Sequence, residues 1–164
     1  TDPEATQVVA KELKKRDVKI LLQTKAISWQ EVKGKAELVV DKNGEKDLLV
    51  FDKILVAVGR VPNSKNLGLK NIGVQVDPKG FIKVNEQLKT NVDGIFAIGD
   101  CAGGPMLAHK ASKEGLIAAS VIAGGSDVYD VRAMPAVIFT TPEIASVGLM
   151  EEEAKKAGFE IKVG

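Results

Sequence analysis

The sequence has little of what reactive centres are usually made from. Its 164 residues include one cysteine, Cys101, and one histidine, His109. A single cysteine excludes an internal disulfide, a two-cysteine redox pair and a thiolate cage for zinc within this chain. A single histidine leaves a His-based metal site short of ligands, so no metal is expected. Aromatic residues make up only 4%, so any core is aliphatic. Neither sign of charge dominates: 23 Lys and Arg face 22 Asp and Glu. That balance points away from nucleic acid and from an anionic membrane as partners. No apolar run approaches the roughly 18 residues of a membrane span. The longest, Leu116 to Ala123, is short and carries Ala and Ser. The opening Thr1-Asp2-Pro3-Glu4 is acidic and polar and does not read as a signal peptide. The expectation is a soluble cytoplasmic protein, or one of the mitochondrial matrix if the source is eukaryotic.

What is present is a globular composition, 45% hydrophobic and 27% charged. Asp2 is a good N-cap and Pro3 suits the first helical position, predicting a helix with an apolar stripe at Val8, Val9 and Leu13. Lys14, Lys15 and Arg16 suit its last turn. Val18 to Leu22 predicts a buried strand. Ile27 to Val32, Ala36 to Asp41 and Asp47 to Phe51 predict an antiparallel meander, turning at Lys33-Gly34 and Asn43-Gly44. Ile54 to Val58 predicts a strand covered on both faces. Short strands are expected at Phe81 to Val84 and Ile95 to Ile98. A helix is expected over Leu107 to Ala123, stopped by Gly124-Gly125. A strand at Ala133 to Phe139, a turn at Thr141-Pro142 and a helix around Glu151 to Ala157 close the pattern. The class is α/β, yet the order is unusual: a doubly wound domain normally opens on a strand and a glycine-rich turn. No G-x-G-x-x-G string occurs, and the chain reads as a segment of something larger.

Two neighbouring stretches could carry chemistry. Thr90-Asn-Val-Asp-Gly-Ile-Phe-Ala-Ile-Gly-Asp100 ends a predicted strand on Gly99 and Asp100. That puts a carboxylate at the sheet edge where open α/β folds bind ligands, and Gly99 permits close approach. Asp100 has two readings, an acceptor for ligand hydroxyls or a cap for the next turn. Next, Gly104-Pro-Met-Leu-Ala-His-Lys110 starts a helix whose free N–H groups favour an anion or a carbonyl. Met106 and Leu107 read equally well as packing, and His109 as an ordinary satisfied histidine.

Together these stretches resemble the flavoprotein disulfide reductases, the pyridine nucleotide-disulfide oxidoreductase family. Thr-x-x-x-x-Ile-Phe-Ala-Ile-Gly-Asp is similar to that family's second FAD motif. Gly104 to Ala111 is similar to the form found in its dihydrolipoamide dehydrogenases. Val56-Ala-Val-Gly-Arg-Val-Pro-Asn63 resembles the strand that leaves the family's NAD domain. Pro135 to Gly148 resembles the opening of its dimerisation domain. Four motifs in order are more specific than one. The resemblance implies a segment of the FAD/NAD-binding three-layer fold plus the start of an α+β dimerisation domain. It divides the chain at 1–61 (NAD domain), 62–132 (second FAD part) and 133–164 (dimerisation).

The resemblance also implies roles. Asp100, with Gly99, would bind FAD hydroxyls. The backbone of Met106, Leu107, Ala108 and His109 would face the flavin. Gly59 would leave room for NAD, and Ala26 would lie near its adenine side. The resemblance to the dihydrolipoamide dehydrogenase form implies a parent enzyme that passes electrons from dihydrolipoamide through a cysteine pair and FAD to NAD, as a homodimer serving 2-oxoacid dehydrogenase or glycine cleavage complexes through lipoyl domains. Its Cys-x4-Cys pair and its catalytic His-Glu pair have no counterpart here, so no catalytic residue is assigned. Cys101 is expected to be an inert thiol. Met150 stands where the family usually has Thr or Ser, which removes a cap worth about 1 kcal/mol. The competing readings are a non-catalytic module that binds a nucleotide or a protein, and a related reductase such as one acting on mercuric ion.

Overall fold

The computed structural model describes residues 2–164. They form two compact units, one of Asp2–Gly59 with Phe139–Glu143, the other of Arg60–Ile138 with Ile144–Gly164.

The first unit opens on helix α1, Pro3–Lys15, with Asp2 as N-cap. The Asp2 carboxylate accepts from the N–H groups of Glu4 at 2.8 Å and Ala5 at 3.3 Å, two donors that no helical carbonyl can reach. Lys14 and Lys15 occupy the last turn, as expected. Of the predicted stripe only Val9 is buried, and Val8 is exposed. Strands β1, Thr24–Val32, β2, Lys35–Lys42, and β3, Glu45–Phe51, then form an antiparallel meander in that order. Both turns are the expected ones. Lys33-Gly34 and Asn43-Gly44 all have positive φ, which matches a two-residue turn to the twist of its strands. The register is set pair by pair, and Gln30 opposite Glu37 adds a side-chain bond of 2.8 Å. One irregularity interrupts β1 between Ala26 and Ser28.

Two predicted strands of this unit are corrected. Val18 to Leu22 and Ile54 to Val58 form no strand. Leu22 is 73% exposed and Val58 is 93% exposed, so neither run is buried. The physical reason is partnership. A β-rich apolar run becomes a strand only beside a neighbour that shares its ladder. Among the described residues no segment pairs with either run.

The second unit is built around helix α2, Ala108–Ile122. Ile117, Ala118 and Val121 pack with Leu88, and Phe96 and Tyr129 lie against them. Leu88 is only 2% exposed although its φ is 64°. Asn85 holds it there: its Oδ1 accepts from the N–H groups of Gln87 and Lys89, both at 3.0 Å. A second cluster joins Val74, Ile82 and Ala97. The strands expected at Phe81 to Val84 and Ile95 to Ile98 shrink to single bridges, Val76 with Ile82 and Lys89 with Phe96. Turns crowd both runs and leave no length for a ladder. Asp77 closes a turn over Asp77–Gly80, its Oδ1 accepting from the N–H groups of Lys79 and Phe81, both at 2.8 Å.

The predicted strand near Pro135 is shorter than expected, β4, Ala136–Ile138, and pairs antiparallel with β5, Ile144–Ser146. The Thr141-Pro142 peptide is cis. Helix α3, Glu151–Lys156, follows. Met150 offers no capping oxygen, but the Glu153 carboxylate accepts from the Met150 N–H at 2.9 Å, supplying half of a capping box. No helix among the described residues is long and apolar enough to cross a membrane.

Tyr129 is the sole tyrosine, so its titration can be read alone. Its phenol lies above the ordinary tyrosine value of 10.0, first because burial disfavours the phenolate and then because Glu114 repels it. The folded chain therefore binds this proton more tightly than the unfolded one. Stability should fall as pH rises from the ordinary tyrosine value towards the folded one. Ultraviolet titration of the folded chain should give a midpoint above 10.0, and Tyr129→Phe should remove that fall; a midpoint at or below 10.0 contradicts this account.

Candidate functional site

The site in the second unit is a meeting of one turn with one helix. The chain runs through Ile98 in extended form and turns sharply at Gly99, where a short 3-10 segment, Gly99–Ala102, begins. Gly99 has φ 73°, and a Cβ there would lie 3.2 Å from the Cβ of Ala111 on α2. Glycine is thus demanded twice, by conformation and by contact.

Helix α2 grips this turn with a buried ion pair. Lys110 Nζ and Glu114 Oε1 are 2.8 Å apart, with side chains 4% and 7% exposed. Glu114 Oε2 accepts from the Gly99 N–H at 2.6 Å. Lys110 Nζ donates to the Gly99 carbonyl at 3.2 Å. Taking either partner away alone would bury an uncompensated charge, at a cost of about 3–5 kcal/mol.

Asp100 follows directly and is half-exposed. Arg60 Nη2 donates to its Oδ2 at 2.7 Å, and Arg60 Nη1 reaches the Met106 carbonyl at 3.5 Å. Both side chains are solvent-exposed, so the pair aligns groups more than it stabilises the fold. The arginine binds only one carboxylate oxygen; among the described residues no donor meets Oδ1. Leu107 is the N-cap of α2 and no side chain caps that end. Its first N–H groups therefore remain available, at the positive end of the helix dipole.

Of the residues singled out from the sequence, Gly99, Asp100, Met106, Leu107, Ala108 and His109 stand together in this unit. His109 keeps its imidazole away from chemistry: its Nε2 donates to the Pro135 carbonyl at 2.8 Å. Cys101 is a free thiol whose Sγ lies 3.2 Å from the Ile98 carbonyl oxygen. Ala26 and Gly59 belong to the other unit. Ala26 sits beside the β1 irregularity and lines an apolar cleft of about 720 Å³ with Trp29, Leu38, Leu55 and Val58. Gly59 has open space where a side chain would stand. Among the described residues no group of acidic, His or Cys side chains could hold a metal ion.

Sequence reasoning missed three participants. Arg60 lies in the Val56–Asn63 stretch, but its partner Asp100 is 40 residues on. Lys110 and Glu114 carried a clear signal: they fall on the same helical face as Ile117, Ala118 and Val121. Two opposite charges four apart on an apolar stripe announce a buried pair.

A carboxylate at a glycine turn, set against an uncapped helix N-terminus, is an arrangement that can receive a ligand bearing hydroxyls and an electron-rich edge. Comparison with known proteins makes this specific. The family model of the pyridine nucleotide-disulphide oxidoreductases matches residues 1–115, and that of their dimerisation domain matches 134–164. The chain belongs to the pyridine nucleotide-disulphide oxidoreductase family. It is 45% identical, over 99% of its length, to a dihydrolipoyl dehydrogenase of Thermus scotoductus, and 42% identical to the mitochondrial dihydrolipoyl dehydrogenase of Rattus norvegicus. It covers 36% and 33% of those proteins, so it spans about a third of the relatives it matches. Among solved structures it is similar to the flavoprotein disulfide reductase RclA of Escherichia coli (TM-score 0.88, 26% identity, 98% of this chain and 37% of that one). It is also similar to LpdA of Mycobacterium tuberculosis (TM-score 0.84, 28% identity, 95% of this chain and 34% of that one).

Gly99→Ala should lower stability by roughly 1–3 kcal/mol, because the new methyl group meets both a left-handed backbone and Ala111. Urea unfolding should show a lower midpoint at unchanged slope; a midpoint within error of the parent contradicts this geometry.

Proposed function

We propose that this chain is the cofactor-cradling segment of a dihydrolipoyl dehydrogenase. The observation that carries the reading is the open Oδ1 of Asp100 beside the uncapped start of α2. A flavin dinucleotide offers hydroxyls for the carboxylate and an electron-rich ring edge for the helix end. The residues present fit that group: the carboxylate is accessible, the glycine turn keeps side chains away, and no cap competes for the helical N–H groups. FAD, when bound, supplies the redox chemistry between a thiol pair and NAD.

On this reading Gly99 and Asp100 hold FAD hydroxyls, while the backbone from Met106 to His109 faces the flavin. Gly59 leaves room for the nicotinamide end of NAD, and Ala26 lies near the adenine side. The parts are 1–61 for the NAD domain, 62–132 for the second FAD part and 133–164 for the dimer interface. The complete enzyme is a homodimer that serves a 2-oxoacid dehydrogenase or glycine cleavage complex, in the cytoplasm or the mitochondrial matrix. The wide exposure of Leu55, Val58 and Phe139 supports a segment that works within a larger assembly.

This chain supplies binding and orientation, since its one cysteine cannot form a redox pair. The purified 164-residue chain should neither oxidise a dihydrolipoamide analogue with NAD nor reduce a lipoamide analogue with NADH; measurable turnover contradicts the assignment. In the complete enzyme, Asp100→Ala should weaken FAD binding by roughly tenfold or more, the loss expected for a charged hydrogen-bond acceptor. Fluorescence titration reads this directly, and unchanged affinity removes Asp100 from the site.

A further inference from the structure

Lys110 and Glu114 are the charged groups on the buried face of α2, and the functional reading above assigns them nothing. Their surroundings are apolar: Ile117, Ala118 and Val121 continue the same stripe. An aliphatic pair would fill the same volume and avoid the cost of removing two charges from water. What an aliphatic pair cannot do is hold a peptide group. This pair holds both polar atoms of one residue, the Gly99 N–H at 2.6 Å and the Gly99 carbonyl at 3.2 Å.

We propose that Lys110 and Glu114 are positioning residues that aim Asp100 at the flavin site; the proposal rests on the function given above. The Gly99 carbonyl and the Asp100 N–H share one planar trans peptide and point in opposite directions. With the carbonyl drawn onto Lys110, the Asp100 N–H is turned away from α2. The N–H bond to Glu114 fixes the preceding peptide, so the planes on both sides of Gly99 are set. Ala111 closes the third side, 3.2 Å from where a Gly99 side chain would begin. The grip comes from the first two turns of α2, which starts at Ala108. The same contacts therefore fix the spacing between Asp100 and the helix end that faces the flavin. The bond from the Gly99 N–H to the Glu114 carboxylate, at 2.6 Å, is of the short kind made by charged groups, which suits this task.

The test compares two neutral double variants of the complete enzyme. Lys110→Met/Glu114→Leu removes both grips while keeping the volume. Lys110→Met/Glu114→Gln returns an oxygen to the Gly99 N–H. FAD affinity is read by fluorescence titration, together with the visible flavin spectrum. The first variant should bind FAD at least about tenfold more weakly than wild type, with its flavin band moved towards that of free flavin. The second should recover to within about threefold of wild type, as expected when one of two bonds is restored. A role in packing alone would leave both variants alike. Equal FAD affinity in the two variants, or wild-type affinity in the first, overturns the proposal. Should the first variant not fold, the second decides: it must still bind more weakly than wild type, and equality overturns the proposal. A wild-type enzyme that takes up no FAD overturns the functional reading itself, which separates the two failures.

Discussion

The geometry of the second unit depends on a buried ion pair whose work is done on backbone. Lys110 and Glu114 sit on the inward face of α2 and hold the Gly99 peptide from both sides. Pairs of this kind add little net stability, because desolvation offsets most of the attraction. What they add is direction. From the Gly99 turn the chain passes to Asp100, and Asp100 in turn meets Arg60, whose guanidinium also reaches the Met106 carbonyl. The start of α2, the glycine turn and the arginine are thus linked through contacts a single residue long. The same helical face continues into the aliphatic cluster of Ile117, Ala118, Val121 and Leu88, so the core and the candidate site share one element.

Much of this was legible where the chemistry is local. Asp2 followed by Pro3 announces a helix start, and Asn43-Gly44 announces a hairpin, because each acts within a few residues. Gly124 and Gly158 likewise mark where α2 and α3 stop. The failures share a different cause. Ile54 to Val58 is apolar and rich in β-branched residues, which indicates that something covers it but not what. A ladder needs a second strand, and among the described residues none pairs with that run. Val18 to Leu22 fails for the same reason. The Arg60–Asp100 contact joins residues forty apart, and no spacing rule reaches that far. The Lys110–Glu114 pair has a local signature too: its two charges fall in step with the apolar stripe at 117, 118 and 121.

The scarcity of reactive side chains takes on a meaning in this light. One histidine donates its ring N–H to a carbonyl, and one cysteine sits in a turn beside Asp100. Neither is arranged as an acid, a base or a nucleophile. The carboxylate, the uncapped helix end and the glycine turn are instead a set of binding groups, which is what a cofactor with its own chemistry requires. The proposed role follows from that set: a chain that covers about a third of its dihydrolipoyl dehydrogenase relatives would supply the cradle.

A buried ion pair fixes the Gly99 peptide, and amide hydrogen exchange at Gly99 tests this most directly. Gly99 lies outside any long helix or ladder, so an ungripped amide there should exchange as fast as those of the surrounding turn. Held by Glu114 at 2.6 Å in a buried setting, it should exchange as slowly as the amides of Ile117 and Val121. A Gly99 amide that exchanges at the rate of the exposed turn contradicts the claim.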